Sequence, residues 1–407
     1  MRRRRSKDIP AVVVGAQVNG LGVVRSLAAC GVPTTVVDSS LRSAAVWSRR
    51  CNSYFVERTH GRALIDGLLE LQRTTGQRPV LVLTDELAVN TVSDHRAELG
   101  SRYFFRLPAP EMVAALGNKE MFQNFAAAHA LPVPRTVIVK HERDLTRIPQ
   151  LGMPVIIKPA DKLPVHLERV ERLRVAGTLD EITATCRRFL KLGETPVVQE
   201  WIEGPDSSIY FVLFHCSQAP RARSIFFGRK LAACPPQVGS TAICVPAPEA
   251  AEKLGPPTEK FLDVTQYEGL GSLEYKWDAA NRRFVIIEPT VGRTDLQEEI
   301  AALNGLNLPY IAYCCALGLP VPEQTQTSPV AWRESFRSVR FGSSLDMPTC
   351  DGHWRLDDPL PVLAHCIDLL FRAARRLLRR FKSSIPPMPR RPIAPWRSIA
   401  SEGDSHS

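Results

Sequence analysis

The sequence has 407 residues and a mass of 45.2 kDa, which is long enough for two or three hydrophobic cores of ordinary size. Hydrophobic residues make up 44% and charged residues 23%, as in globular proteins, and no apolar run is long enough to cross a bilayer. Much of the net charge of +10 lies at the two ends, in 2–5 and 372–391, which argues against a nucleic-acid-binding protein.

The cysteines and the N-terminus both favour a cytoplasmic protein. The ten cysteines are scattered without a CxxC pair, which favours reduced thiols over a disulfide framework or a zinc site. The N-terminus is basic, but the apolar run 11–14 ends at Gly15. This run is too short for the hydrophobic region of a signal peptide and predicts a first strand.

Residues 10–108 predict a small parallel α/β domain, preceded by a basic tail at 1–9. A strand at Ala11–Val14, a glycine-rich turn, a helix to about Cys30 and a strand at Thr34–Asp38 form a βαβ unit, and Pro79–Leu83 adds a strand. The turn glycines are spaced G-x₄-G-x-G, which is not the dinucleotide-binding fingerprint. We interpret them as a tight strand-to-helix turn.

Residues 109–318 predict a domain that mixes strands and helices. Its predicted strands are 136–139, 155–158, 196–200, 271–275 and 283–288, with paired strands within 208–245 and helices at 120–130, 179–190 and 296–303.

Two carboxylates late in this domain, Glu274 and Glu288, are the first indication of chemistry. Each lies in an apolar strand, and the turn at 278–281 is short, so a hairpin would place them side by side. Neighbouring carboxylates repel unless a cation lies between them, and Mg²⁺ held by one or two carboxylates plus nucleotide phosphates fits such a pair. A solvated strand edge is an equally good interpretation of the pair alone.

Two lysines are candidates for binding phosphate. Lys158 follows three apolar residues, so its ammonium projects from a half-buried strand, and Lys119 stands at a helix start, where backbone N–H groups also favour anions. Each lysine alone is more typical of a surface residue.

Five motifs in the same order resemble the ATP-grasp family, and the most similar members are those of the D-aspartate ligase, biotin carboxylase and carbamoyl-phosphate synthetase types. The motifs are Asn118-Lys119 followed by Leu131-Pro-Val-Pro134, then Pro154-Val-Ile-Ile-Lys158-Pro159, Val197-Val-Gln-Glu-Trp-Ile-Glu-Gly-Pro-Asp206, Glu274 and Glu288. The resemblance implies an α/β fold in which the N-terminal parallel domain is followed by a two-lobed α+β ATP-grasp domain.

The resemblance also implies residue roles. It implies a nucleotide site with Lys119 and Lys158 at the phosphates, Glu200, Trp201 and Ile202 at the adenine, and Asp206 at the ribose. In the same way, Glu274 and Glu288 would hold Mg²⁺, Lys230 would lie near the transferred phosphate, and Arg293 would stabilise an acyl phosphate. The implied activity is an ATP-dependent ligase that activates a carboxylate as an acyl phosphate, couples it to an amine, and releases ADP and phosphate.

The sequence departs from the family pattern at two places. The metal strand of the family ends Glu-x-Asn-x-Arg, whereas here Thr290 replaces the amide and Arg293 lies one residue later, so a second Mg²⁺ would be held more weakly or by another group. The segment Asp161–Leu173, where a glycine-rich flap is expected, contains no glycine. Two alternatives therefore stay open: an enzyme that uses bicarbonate or ammonia, and a non-catalytic nucleotide-binding homologue.

The expected partners are a small-molecule carboxylate and an amine, bound near Asn19, Asp85 and Arg293. Nucleic acid is not an expected partner. The identity of these substrates stays open, as does assembly into a homo-oligomer.

The C-terminal part predicts an irregular extension at 319–361, a basic amphipathic helix at 362–382 and a disordered proline-rich tail at 383–407. On the helix, arginines from Arg372 to Arg380 recur on one face and apolar residues line the other. The apolar face could pack on the ligase body, or the helix could lie on an anionic membrane surface. Both interpretations are open.

Overall fold

The structure is a computed structural model. It describes residues 9–161, 173–218, 221–321, 323, 329–335, 337–338 and 345–384, with backbone only for 221, 372, 373 and 375–384. The predicted basic tail and proline-rich tail lie almost entirely outside these residues, as do residues 162–172 of the predicted flap and the arginine side chains of the C-terminal helix. The chain forms two compact units, which divide between His365 and Cys366.

The N-terminal part alternates strands and helices. Its elements are β1 (Ala11–Val14), α1 (Val18–Ala29), β2 (Thr34–Asp38), β3 (Asn52–Phe55), α2 (Gly61–Thr75), β4 (Val80–Leu83), α3 (Glu86–Asp94) and α4 (Arg96–Leu99). The four strands form one parallel sheet in the order β3-β2-β1-β4. The predicted βαβ unit and its additional strand are confirmed.

The glycine-rich segment after β1 is a tight strand-to-helix turn, as predicted. Gly15 has a φ of +95°, in the region that favours glycine. A Cβ on Gly20 would lie 1.9 Å from the Gly15 carbonyl oxygen, so only glycine allows this approach.

The next part of the chain forms a smaller antiparallel sheet. Its elements are α5 (Pro110–Gly117), α6 (Lys119–Ala128), β5 (Thr136–Ile138), a 3₁₀ segment (Glu142–Leu151), β6 (Val155–Pro159), β7 (Arg174–Ala176), α7 (Leu179–Lys191) and β8 (Pro196–Glu200). The strand order is β5-β8-β6-β7. The Asn118 and Thr178 side chains cap α6 and α7 by accepting main-chain N–H bonds.

A larger sheet follows and forms the other side of the candidate site. Its elements are β9 (Ile209–Gln218), β10 (Arg221–Cys234), β11 (Ser240–Pro246), α8 (Ala251–Val264), β12 (Gly269–Asp278), β13 (Arg283–Val291), α9 (Glu299–Leu303) and α10 (Leu308–Ala316). These strands lie in the order β13-β12-β9-β10-β11. The first sheet packs on this one, since Val13 and Leu27 share a buried cluster with Phe211 and Leu213.

The segment predicted to be irregular contains two short strands, β14 (Ala331–Arg333) and β15 (Thr349–Asp351). They extend the large sheet: β14 pairs with Ile243 and Cys244 of β11, and β15 pairs with β14. Strands of three residues are too short for a detectable alternation, so pairing with β11 rather than local sequence defines them.

The C-terminal helix predicted at 362–382 is present as α11 (Leu360–Ser384). Within the described part of the chain, no helix is long and apolar enough to cross a membrane.

Candidate active site

The two predicted metal carboxylates face each other in a hairpin. Glu274 of β12 pairs with Glu288 of β13, and Ser272 pairs with Thr290 two residues further along. Side chains alternate between the two faces of a strand, so these four point to the same face of the sheet. The predicted side-by-side arrangement of the carboxylates is confirmed.

Lys230 of β10 lies beside this pair and forms an ion pair with Glu274. Burial tends to lower the pKa of Lys230, but the carboxylates of Glu274, Asp295 and Glu288 outweigh it and raise the pKa above its ordinary value. Burial also raises the pKa of Glu274, and the charges of Asp295 and Glu288 add to this against the effect of Lys230. The charges of Lys230, Glu274, Glu288 and Asp295 thus act on one another at this point.

Asp295 was not predicted, and it lies in the loop between β13 and α9. Its Oδ1 accepts a hydrogen bond of 2.9 Å from the Thr290 hydroxyl. Its Oδ2 is buried and has no hydrogen-bond partner among the described residues. Three neighbouring carboxylates, of which Asp295 has an unpaired oxygen, are a donor set that fits Mg²⁺, which prefers oxygen ligands. Glu274, Glu288 and Asp295 are the residues that would hold it.

A cleft of about 110 Å³ between the two antiparallel sheets brings together seven of the ten predicted site residues: Lys158, Glu200, Trp201, Ile202, Lys230, Glu274 and Glu288. One part of its wall is apolar and includes Ile156, Ile209, Val238 and Ile287. The charged residues line the rest, so the cleft offers an apolar region beside a charged one.

Lys276 lines the cleft and was also not predicted. It is 4% exposed, and its ammonium lies 4.4 Å from the centre of the Trp201 ring, a cation–π contact. Burial lowers the pKa of Lys276, and the charge of Lys158 lowers it further, against the opposing effect of Asp206. Lys276 lies two residues after Glu274, so strand alternation was a signal that could have identified it.

The Glu200 side chain lines the cleft and is also bonded within the protein. Its carboxylate accepts from the Arg135 main-chain N–H at 2.9 Å, from Arg135 Nε at 2.6 Å and from Arg283 Nη2 at 2.9 Å. These bonds join β8 to its neighbours and fix the end of the strand from which Trp201 and Ile202 enter the cleft.

Asp206 is likewise bonded within the protein. Its Oδ2 accepts from the main-chain N–H of Ala233 at 2.8 Å, and its Oδ1 accepts from that of Gln237 at 2.6 Å. The turn that Asp206 anchors carries Val238 and Gly239, which line the cleft.

Lys119 and Arg293 lie outside the lining of the cleft. The Lys119 main-chain N–H donates to Ala160 at 2.8 Å, which joins the start of α6 to the end of the strand that carries Lys158. The Arg293 guanidinium lies 3.8 Å from Glu86 of the N-terminal part. The Asn19 amide donates to the Thr294 carbonyl at 2.8 Å, so the loop after β13 contacts α1 where the substrate is expected.

A separate polar cluster contains Glu334, His353 and His365, which no sequence spacing indicated. The Glu334 Oε1 lies 3.7 Å from His353 Nδ1 and 3.3 Å from His365 Nε2. The two imidazoles stack with centres 4.0 Å apart and planes 26° apart. The ligand atoms of the three residues lie within 4.8 Å of one another, close enough for one metal ion, and the stacked rings are equally typical of packing.

Comparison with known proteins agrees with this architecture. No protein-family model matches the sequence. A D-aspartate ligase of Enterococcus faecium (strain Aus0004) is 25% identical over 226 residues, which is 53% of this chain and 53% of that protein. The chain thus matches about half the length of this relative.

Two solved structures share the fold over most of the chain. An ADP complex of N5-carboxyaminoimidazole ribonucleotide synthetase (purK) superposes with a TM-score of 0.62 and 14% identity, covering 81% of this chain and 82% of that one. The biotin carboxylase domain of Hydrogenobacter thermophilus 2-oxoglutarate carboxylase, in complex with MgADP, ADP and bicarbonate, superposes with a TM-score of 0.60 and 13% identity. The superposition covers 78% of this chain and 73% of that one. The chain has the ATP-grasp fold. The expected fold class is confirmed.

Proposed function

We propose that this chain is a Mg²⁺-dependent ligase that uses ATP to couple a carboxylate to an amine. The observation that carries the proposal is the cleft in which the facing carboxylates Glu274 and Glu288 lie beside the buried ammonium groups of Lys230 and Lys276. Phosphoryl transfer needs mainly positioning and charge neutralisation, and this set of charges supplies both. The similarity to D-aspartate ligase supports the same class of reaction.

Each part of the cleft has a place in this reaction. The apolar wall with Ile156 and Ile287 would hold the adenine, and Lys158 and Lys276 would bind phosphate oxygens. Bound Mg²⁺ would supply neutralisation of the charge that develops on the transferred phosphoryl group. Lys230 would hold the Glu274 carboxylate in place and add positive charge on the same side.

The reaction would proceed in two steps. An oxygen of the substrate carboxylate forms a bond to the γ-phosphorus as the bond from that phosphorus to ADP breaks, which gives an acyl phosphate. The amine nitrogen then attacks the acyl carbon, phosphate leaves, and the nitrogen loses a proton. Arg293 contacts Glu86 of the N-terminal part, and its planar guanidinium would suit the carboxylate and then the acyl phosphate.

The acid substrate that we propose is an amino acid, on the basis of the D-aspartate ligase similarity, with a small molecule or peptide as the amine. We also propose that the protein works in the cytoplasm, because its ten cysteines are spaced without the pairs typical of a disulfide framework.

We propose separately that α11 contacts an anionic membrane surface. The basis is its sequence, in which arginines recur on one face of the helix and apolar residues on the other. Intact protein should then pellet with anionic vesicles at low salt and be released at high salt. A chain ending at His365, where the first compact unit ends, should stay in solution at both. If the shortened chain aggregates, the helix belongs to the core and membrane contact is contradicted.

A screen tests the proposed activity: amino acids and amines are added in pairs, and ADP release is measured, followed by mass spectrometry of the product. We expect ADP release that needs both substrates and a product whose mass is that of acid plus amine less water. Turnover with bicarbonate or ammonia instead would change the substrate class. Nucleotide binding without any turnover would contradict the proposed activity and favour a non-catalytic homologue.

A further inference from the structure

The face of the hairpin that carries Glu274 and Glu288 has more oxygen donors than these two. Ser272 and Thr290 are the next paired residues on the same face, and Ser272 is 1% exposed. The Ser272 hydroxyl has no hydrogen-bond partner within the described part of the chain. A buried polar group without a partner is costly, so the Ser272 hydroxyl beside the carboxylates is available to a bound group.

Asp295 approaches this face through Thr290. The chain leaves β13 at Val291, turns at Gly292 with a φ of +70°, and returns so that Thr290 Oγ1 donates to Asp295 Oδ1 at 2.9 Å. One carboxylate oxygen is thereby fixed. The other, Oδ2, is buried and unpaired, and so is available to a cation.

The unpaired oxygen of Asp295 lies close to other charged groups. Lys230 forms an ion pair with Glu274, and the charge of Asp295 acts on both of these groups. A buried carboxylate oxygen is stable when it is paired or binds a metal, so a divalent cation fits the position of Asp295 Oδ2.

We infer that Asp295 is a third carboxylate ligand of the divalent cation in the cleft and that Thr290 is the positioning residue that orients it. This inference rests on the proposed function, because it concerns the cation that the proposed reaction needs. It gives Thr290 a role that does not require its hydroxyl to bind the metal. Carboxylate ligands are commonly held by a hydrogen bond of this kind, and loss of such a bond lowers metal affinity about 10- to 100-fold.

The test uses Mn²⁺ as the probe, because the electron paramagnetic resonance signal of free Mn²⁺ reports its binding without turnover. Full-length protein with ADP is titrated as wild type, Asp295→Asn, Thr290→Val, Thr290→Ser and Glu288→Gln. Asp66→Asn is the matched control, since Asp66 lies exposed on α2 and pairs with Arg62. ADP binding without metal is measured for each variant to show that the cleft is intact.

We expect the Mn²⁺ dissociation constant to rise about tenfold or more in Asp295→Asn and Thr290→Val. Thr290→Ser keeps the hydroxyl and should bind like wild type, as should Asp66→Asn. If Glu288→Gln loses Mn²⁺ while Asp295→Asn binds it as wild type does, the inference is overturned and the proposed function stands. If wild type with ADP binds no Mn²⁺, both the proposed function and the inference are contradicted.

Discussion

Glu288 lies directly opposite Glu274 in the β12–β13 register, and Glu274 forms an ion pair with the ammonium of Lys230. Neighbouring carboxylates repel each other, and a cation that binds both of them removes this repulsion. We therefore expect the charge of Glu288 to be needed for cation binding.

Replacing Glu288 by Gln should abolish ATP turnover and leave the fold intact, because the amide has nearly the same shape but no charge to hold a divalent cation. Turnover is measured as ADP release with saturating acid and amine, and the fold by circular dichroism. Glu252→Gln, an exposed change on α8, is the matched control and should keep wild-type turnover. Near-normal turnover by Glu288→Gln would contradict the metal assignment.

Lys158 should contribute to nucleotide affinity. We expect Lys158→Ala to raise the dissociation constant of ATP by roughly 10- to 100-fold, as expected for loss of one charge-assisted contact with phosphate. Isothermal titration calorimetry measures this directly. Lys191→Ala, at an exposed position at the end of α7, is the control. Unchanged ATP affinity in folded Lys158→Ala protein would show that Lys158 only supports the strand.

A change at Asp206 distinguishes two roles for this residue, a contact with the ribose and the positioning of the cleft wall. Both of its oxygens accept main-chain N–H bonds of the β10–β11 turn, so Asp206→Ala should disturb the cleft wall at Val238 and Gly239. We expect it to weaken binding of ATP and of 2′,3′-dideoxy-ATP by the same factor, about tenfold for two lost hydrogen bonds of modest net strength. A loss confined to ATP would show that Asp206 contacts the ribose hydroxyls.

The stability of the fold should fall on acidification because of His215. This residue is 1% exposed in β9, and burial, together with the charge of Arg106, lowers the pKa of His215 to about 4. The unfolded chain therefore binds more protons between pH of about 6.5 and about 4, so stability falls as the pH falls through this window. The effect is on the order of 3 kcal/mol when complete.

Urea denaturation at pH 7.5 and 4.5 measures this effect. His215→Leu should lose less stability on acidification than wild type, whatever its stability at pH 7.5. His129→Gln, at an exposed position after α6, should behave like wild type. Equal losses in His215→Leu and wild type would show that other groups cause the acid sensitivity.

The sequence was sufficient to predict the hairpin carboxylates and the strand that carries Lys158, because the alternation of side chains along a strand is a local pattern. It was not sufficient for Asp295, whose position depends on the turn at Gly292 and on the hydrogen bond from Thr290. Nor could it show that Glu200 and Asp206 are bonded within the protein, since their partners Arg283 and Gln237 are distant in sequence. Local patterns thus identified the strands, whereas the hydrogen-bond partners of these carboxylates depend on tertiary contacts.

The most direct test of the account follows oxygen from the acid to phosphate. The acid found by the substrate screen is labelled with ¹⁸O in its carboxylate and incubated with ATP, the amine and wild-type protein, and the released phosphate is analysed by mass spectrometry. An acyl phosphate transfers one carboxylate oxygen to phosphate when the amine displaces it, so we predict one ¹⁸O atom in each phosphate released. Product formation with unlabelled phosphate, or with ¹⁸O in AMP, would contradict the proposed chemistry.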